Sequence, residues 1–219
     1  MAINVTLSDQ KFTNEKSMVI NRYRLATFLK SAALVKQLPP DEGYEIAFAG
    51  RSNAGKSTAL NTLAIQKRLA RTSKTPGRTQ LINLFALDES RRLVDLPGYG
   101  FADVPIKVKE EWQRTLAHYL EVRTCLCGIV LLMDCRHPLQ ELDQNLIKQV
   151  LAREIPIHIL LTKSDKLSRG SAKNCLTKVR NEFKDAADWV SVQTFSSLNK
   201  EGIDELITQL DTWFEWDKP

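Results

Sequence analysis

Apolar and polar positions change their spacing repeatedly along this chain, and the changes mark out alternating strands and helices. Tyr44-Glu45-Ile46-Ala47-Phe48-Ala49 alternates and then turns into an apolar run, which predicts a strand. The segment after it, 58–63, lacks Gly and Pro and predicts a helix. Residues 80–87 alternate again, a polar turn follows at Asp88-Glu89-Ser90, and 91–94 resume, which predicts an antiparallel hairpin. Pro105 can open a helix with Val108, Trp112, Leu116, Tyr119 and Leu120 on its apolar face. Residues 128–134 are nearly continuous in apolar side chains, as expected of a parallel strand covered on both faces. A helix over about 139–153, a buried strand at 157–161, a helix over about 171–183 and a strand near 189–194 come next. The last helix carries Ile203, Leu206, Ile207, Leu210, Trp213 and Phe214 on one face.

Residues 1–42 read as an N-terminal arm and 43–219 as one domain. Within the arm, Leu25, Phe28, Leu29, Ala32, Ala33 and Leu34 recur at helical spacing from Tyr23 on, which predicts a short amphipathic element. Pro39-Pro40-Asp41-Glu42-Gly43 then breaks the chain. The arm is expected to cover one face or edge of a sheet. The whole pattern predicts an α/β fold. Its sheet is doubly wound and mostly parallel, with one antiparallel strand and helices on both faces. Ligands on such sheets bind at the carboxyl ends of the strands.

Composition narrows the picture modestly. Of 219 residues, 43% are hydrophobic, enough for a sizeable core, which excludes a chain disordered throughout. A formal charge of +5 leans toward an anionic partner. Cys125, Cys127, Cys135 and Cys175 form no C-x-x-C pair, so free thiols are expected, with neither a zinc site nor a disulfide frame. The N-terminus lacks the order of a signal peptide, and no apolar run approaches membrane-spanning length. A cytoplasmic protein without membrane contact is the expectation.

Four stretches carry chemistry, each at a predicted strand end. Gly50-Arg51-Ser52-Asn53-Ala54-Gly55-Lys56-Ser57 fits Gly-x-x-x-x-Gly-Lys-Ser between a strand and a helix, the form of a phosphate cradle. Lys56 would reach the outer phosphates, and the Ser57 hydroxyl would help hold Mg²⁺. Asp95-Leu96-Pro97-Gly98 matches Asp-x-x-Gly, with a carboxylate for the metal, usually through water, and a Gly98 N–H to sense a γ-phosphate. In Thr162-Lys163-Ser164-Asp165, an acceptor carboxylate at Asp165 suits the N1–H and exocyclic amine of guanine. The Lys163 stem could lie along the base plane. Phe195-Ser196-Ser197 closes the last strand, and its backbone could support the guanine oxygen. Between the first two of these, residues 67–79 hold five basic residues, Lys67 to Arg78, and no acid. That loop suits RNA phosphates. Gly77-Arg78-Thr79-Gln80 with Leu81 follows, and Thr79 is expected to complete the Mg²⁺ shell when a γ-phosphate is present.

The set resembles the EngB (YihA/YsxC) family of bacterial GTPases, in the branch that holds TrmE, Era, EngA and the septins. Residues 71–80 and Asp95-Leu96-Pro97-Gly98-Tyr99-Gly100 carry the resemblance most specifically, and it extends from about Gly43 onward. It implies Mg²⁺-dependent binding of GTP and GDP, GTP hydrolysis, a role in large ribosomal subunit assembly, and a requirement in cell division and septation. Two departures from the broader GTPase pattern stand out. Thr162 replaces the usual Asn, which removes one amide's hydrogen bonds and implies modest nucleotide affinity. Tyr99 stands where Ras-like enzymes have a water-orienting Gln, which implies slow hydrolysis. Asn53 matches the position at which TrmE-like relatives coordinate K⁺, so K⁺ activation is a further expectation, with Lys56, Asn53 and Thr79 as the catalytic set. A monomer is expected. Two other readings stay open: a nucleotide-gated RNA- or ribosome-binding module with negligible turnover, and a small-molecule kinase on a phosphate loop.

Overall fold

A computed structural model describes residues 21–70, 81–100 and 106–216. Seven strands form one sheet in the order β1-β3-β4-β2-β5-β6-β7, where β1 is Thr27–Ala32, β2 Tyr44–Gly50, β3 Ile82–Ala86, β4 Arg91–Asp95, β5 Leu126–Asp134, β6 Ile157–Thr162 and β7 Val190–Thr194. Every pairing is parallel except those of β3, which runs against both β1 and β4. One strand is therefore reversed, as the hairpin pattern predicts. The helices are α1 (Lys56–Leu63), α2 (Ile106–Val122), α3 (Glu141–Leu151), α4 (Arg169–Glu182) and α5 (Ile203–Trp213).

Side chains that alternate along β2 feed two cores. Ile46 and Phe48 join Leu60 and Leu63 of α1 and Leu206 and Leu210 of α5 on one face. Ala47 and Ala49 join Leu116, Tyr119 and Leu120 of α2, Leu146 and Val150 of α3 and Val179 of α4 on the other. Burial on both faces is why β5 and β6 read as unbroken apolar runs.

The amphipathic helix expected in the arm is not formed. Arg22–Leu25 makes a single 3₁₀ turn, and Thr27–Ala32 is the edge strand β1. The physical reason lies in β3, whose outer edge offers a row of backbone groups that β1 satisfies. Leu25 and Phe28 stay 68% and 59% exposed, so it is this backbone pairing more than apolar burial that places the segment. One residue of the turn does reach the core. Tyr23 is buried beside Phe214 and Trp216 and donates to Asp211 at 2.8 Å.

At the amino ends of the strands, Glu45 is fully buried and accepts from Arg92 Nε at 3.0 Å, Arg123 Nη2 at 2.5 Å and the Tyr119 hydroxyl at 3.1 Å. Arg123 also donates to the Pro39 carbonyl at 2.9 Å, and Arg92 to that of Glu42, so the network fastens the Pro-Pro linker to the sheet. The four cysteines are free. Among the described residues, no helix is long and apolar enough to cross a membrane.

Candidate nucleotide-binding site

The carboxyl ends of β2, β4, β5, β6 and β7 lie side by side, which brings the sequence motifs to one rim of the sheet. β2 ends at Gly50, residues 51–55 loop over the rim, and α1 starts at Lys56. A Cβ at Gly50 would lie 2.7 Å from the Leu132 carbonyl of β5, closer than any side chain tolerates. Gly55 caps α1 with φ +95°, a left-handed conformation that glycine adopts without a steric cost. Asn53 has φ +64°, and Asn is among the few other residues at ease there.

Phe48 of β2 pairs in register with Asp95 of β4. Lys56, one residue into α1, is buried and its ammonium forms an ion pair with the Asp95 carboxylate. The segment after Asp95 braces the loop through its backbone. Leu96 N–H donates to the Phe48 carbonyl at 3.0 Å, Tyr99 N–H to Gly50 at 3.3 Å, and Ser52 N–H to Tyr99 at 2.7 Å. Leu96 and Pro97 are buried, while Gly98 is half-exposed at the rim. Ser57 is half-buried beside Lys56, and among the described residues its hydroxyl has no hydrogen-bond partner.

The side chain of Tyr99 turns away from this rim. It is buried against Trp112 and donates its hydroxyl proton to Asp143 of α3 at 2.7 Å. Burial, with the adjacent Asp143 charge, holds the phenol well above its usual pKa, and burial also raises that of Asp143. A side chain so engaged does not orient water at a phosphate.

Thr162 ends β6. The sequence comparison with Asn implies lost hydrogen bonds, yet the hydroxyl supplies a bond of its own, 2.6 Å to the Ala54 carbonyl of the phosphate loop. Lys163 follows with φ +59°, and its ammonium donates to the Asn53 carbonyl at 2.7 Å. Ser164 is buried, and its N–H donates to the Phe195 carbonyl at 3.3 Å. Asp165 is half-buried and accepts from the Ser196 hydroxyl at 2.7 Å, which more than any other contact holds its carboxyl below the usual range. The sequence assigns Phe195-Ser196-Ser197 a backbone role; in the structure the fully buried Ser196 also orients Asp165 through its side chain.

Gly77, Arg78, Thr79 and Gln80 lie outside the described residues, as does the loop over 71–78. Leu81, Lys67 and Arg68 are exposed or partly so. One residue missed by sequence reasoning is Asp134, the last of β5, whose carboxylate lies between Arg136 and Lys163. A signal for it exists, since it is an acid that ends a buried apolar strand at the same rim.

The oxygen set fits a hard divalent ion. Among the described residues no three His, Cys, Asp or Glu side chains cluster as a self-sufficient metal site. Mg²⁺ commonly takes only one or two protein oxygens and completes its shell with phosphate and water, and Ser57 and Asp95 offer that donor type.

Residues 45–163, more than half of the chain, match the family model described as 50S ribosome-binding GTPase. The chain is 57% identical over 197 residues to a probable GTP-binding protein EngB of Enterobacter sp. (strain 638), covering 90% of this chain and 95% of that one. It is 55% identical to the corresponding protein of Vibrio parahaemolyticus, over 88% of each. Among solved structures, a crystal structure of a probable GTP-binding protein EngB superposes with a TM-score of 0.64 at 22% identity, covering 78% of this chain and 98% of that one. A single-residue variant of Aquifex aeolicus Era bound to GDP·AlF₄⁻ gives 0.61 at 20% identity, covering 78% and 57%. With the Asp165 segment, a phosphate loop and an Asp-x-x-Gly turn on one rim, and with these relatives, the chain belongs to the EngB family of GTP-binding proteins, P-loop GTPases.

Proposed function

We propose that this protein is a guanine-nucleotide switch with slow GTP hydrolysis, acting in assembly of the large ribosomal subunit and needed for normal cell division and septation. One observation carries the nucleotide part: Thr162 and Lys163 are hydrogen-bonded directly to the phosphate loop, so base and phosphate subsites form one rigid unit. In this reading the N–H groups over 51–57 and the Lys56 ammonium take the phosphates, and Asp165 accepts from the guanine N1–H and exocyclic amine. Ser57, Asp95 and Thr79 would hold Mg²⁺, which neutralises phosphate charge when bound. The Gly98 N–H and Thr79 report the γ-phosphate.

The packing of Tyr99 against Asp143 supports slow turnover, because no Gln-like group from that position orients the attacking water. Asn53 is exposed on the loop and is proposed to admit K⁺ as a substitute for an arginine finger. GTP hydrolysis faster in K⁺ than in Na⁺, and equal in both for Asn53→Ala, is the expected result.

The ribosomal role draws on the family description and on the basic loop. Sedimentation with ribosomal subunits under a GTP analogue, GDP or no nucleotide tests it. Co-sedimentation with the large subunit or its precursor in the analogue alone is expected, and equal binding in all three states would overturn the switch. A monomer acting through RNA phosphates should lose binding steeply with salt. Competition of ATP against GTP removes the kinase reading if ATP fails to displace GTP.

A further inference from the structure

We propose that Asp134 is a positioning residue for guanine-nucleotide binding: its carboxylate, oriented by Arg136, holds the Lys163 ammonium on the phosphate loop. The inference deepens the assignment of Thr162–Asp165 as the base-binding segment and rests on it.

Asp134 is in register with Thr162 across the β5–β6 pair, so its side chain stands beside the residue that precedes Lys163. Both oxygens of that carboxylate are engaged. Oδ1 accepts from the Arg136 N–H at 3.0 Å and from Arg136 Nε at 2.9 Å. Oδ2 accepts from Arg136 Nη2 at 2.6 Å and lies 3.0 Å from Lys163 Nζ. The same ammonium donates onward to the Asn53 carbonyl at 2.7 Å. A chain of charge-assisted hydrogen bonds thus runs from the end of β5 through β6 to the loop that follows β2. Arg136 pins the carboxylate as a two-pronged clamp, and it does so from an exposed position where it contributes little else.

Lysine carries a long flexible stem whose ordering is costly in entropy. Here the backbone of Lys163 is set in a left-handed conformation, and the far end of its side chain is held by two acceptors, one ending β5 and one in the loop after β2. The head of that side chain is therefore fixed at the rim, which orders the wall on which the base is proposed to lie. Backbone contacts reinforce the placement, since Cys135 N–H donates to the Thr162 carbonyl at 3.0 Å and the Cys135 thiol to that of Lys163 at 3.3 Å. Among the described residues, Asp134 reaches the phosphate loop by way of Lys163 alone, so it acts through that side chain.

The test is the dissociation rate of a fluorescent GDP analogue from the full chain, measured for wild type, Asp134→Asn, Lys163→Met and the double variant. Asp134→Asn should speed release about tenfold, the effect of losing one charge-assisted hydrogen bond. In the Lys163→Met background it should add nothing, because the two act as a unit. Arg136→Gln, which loosens the clamp but keeps the carboxylate, should give an intermediate rate, and Asp134→Glu should recover part of the loss. A purely structural Asp134 would lower the melting temperature of nucleotide-free protein and multiply the Lys163→Met rate. That additive outcome, or release unchanged within about twofold in Asp134→Asn, overturns the proposal while GDP is still preferred over ADP. Should wild type show no such preference, the base-binding assignment fails and takes this inference with it.

Discussion

The hydroxyl of Thr162 lies 2.6 Å from the Ala54 carbonyl and 3.1 Å from that of Met133, and it has a single proton to give. The shorter contact takes it, so a side chain at the end of β6 closes onto the loop that follows β2. Removing the hydroxyl in Thr162→Val leaves a buried carbonyl without its donor, which costs about 1–3 kcal/mol. Urea unfolding of nucleotide-free protein should show that loss, and GDP should dissociate faster. Thr162→Ser, which keeps the donor, should stay close to wild type in both; a Val variant indistinguishable from wild type would refute the bond's importance.

Tyr99 and Asp143 make the second prediction. Among the described residues, Tyr99→Phe strips the only side-chain donor that Asp143 receives from outside α3, and its other bond comes from the Gln140 N–H at 3.1 Å. A destabilisation of about 1–3 kcal/mol follows for a buried acceptor left partly unpaired. Single-turnover GTP hydrolysis should change by less than about threefold, under about 0.7 kcal/mol of barrier, because the phenol points into the α3 interface. A drop of about a hundredfold, roughly 2.7 kcal/mol, would place the hydroxyl in catalysis instead.

Glu45 supplies the third. It sits at the start of β2 and the phosphate loop at its end, a distance of about 17 Å at strand rise. Among the described residues, Glu45→Ala leaves the Arg92 guanidinium without its carboxylate and Arg123 with that of Asp41 alone, at 3.8 Å, and breaking such a buried pair costs about 3–5 kcal/mol. The urea midpoint should fall sharply, while GDP affinity of the folded protein should hold. Equal loss of affinity would mean that the amino ends of the strands are coupled to the rim.

Acid sensitivity is the fourth. His158, buried in β6, has its pKa lowered from 6.5 to about 4 by burial, with the hydrogen bond to Gln193 opposing. Gln193 donates its amide N–H to the Gly202 carbonyl at 2.7 Å, so its oxygen faces the ring and His158 Nε2 carries the proton in that 2.7 Å contact. Nδ1 then accepts from the Ser191 hydroxyl at 2.7 Å, a shorter contact than the 3.3 Å one from the same hydroxyl to Gln209, which is consistent with a neutral ring. The unfolded chain binds this proton more readily than the folded one. Stability is therefore complete above pH 6.5 and is lost as pH falls toward 4, by about 3 kcal/mol for this group. Urea midpoints between about pH 7.5 and 4.5 should fall less steeply in His158→Gln; parallel profiles would assign the acid loss to other groups.

Much of the fold is legible because it is written in side-chain periodicity. Alternation in 44–49 and 80–87, and the unbroken apolar runs of 128–134 and 157–161, place β2, β3, β5 and β6, and the burial that produces those patterns is the burial observed. The arm misleads because Leu25, Phe28, Leu29 and Ala32 satisfy a helical template that an edge strand also tolerates. An edge strand gains backbone pairing from β3, and no spacing within the arm itself records that partner.

By itself the sequence picked out the candidate site residues, because a phosphate-loop motif has glycines at fixed positions and a guanine reader would need an acceptor such as Asp165. It also determined that these residues fall at strand ends. Tertiary structure alone decided how they are held. Thr162 grips Ala54 across 108 positions of chain, Ser196 aims Asp165 across 31, and Asp134 steadies Lys163 from the neighbouring strand. Such contacts follow from strand order and register, which local spacing does not encode.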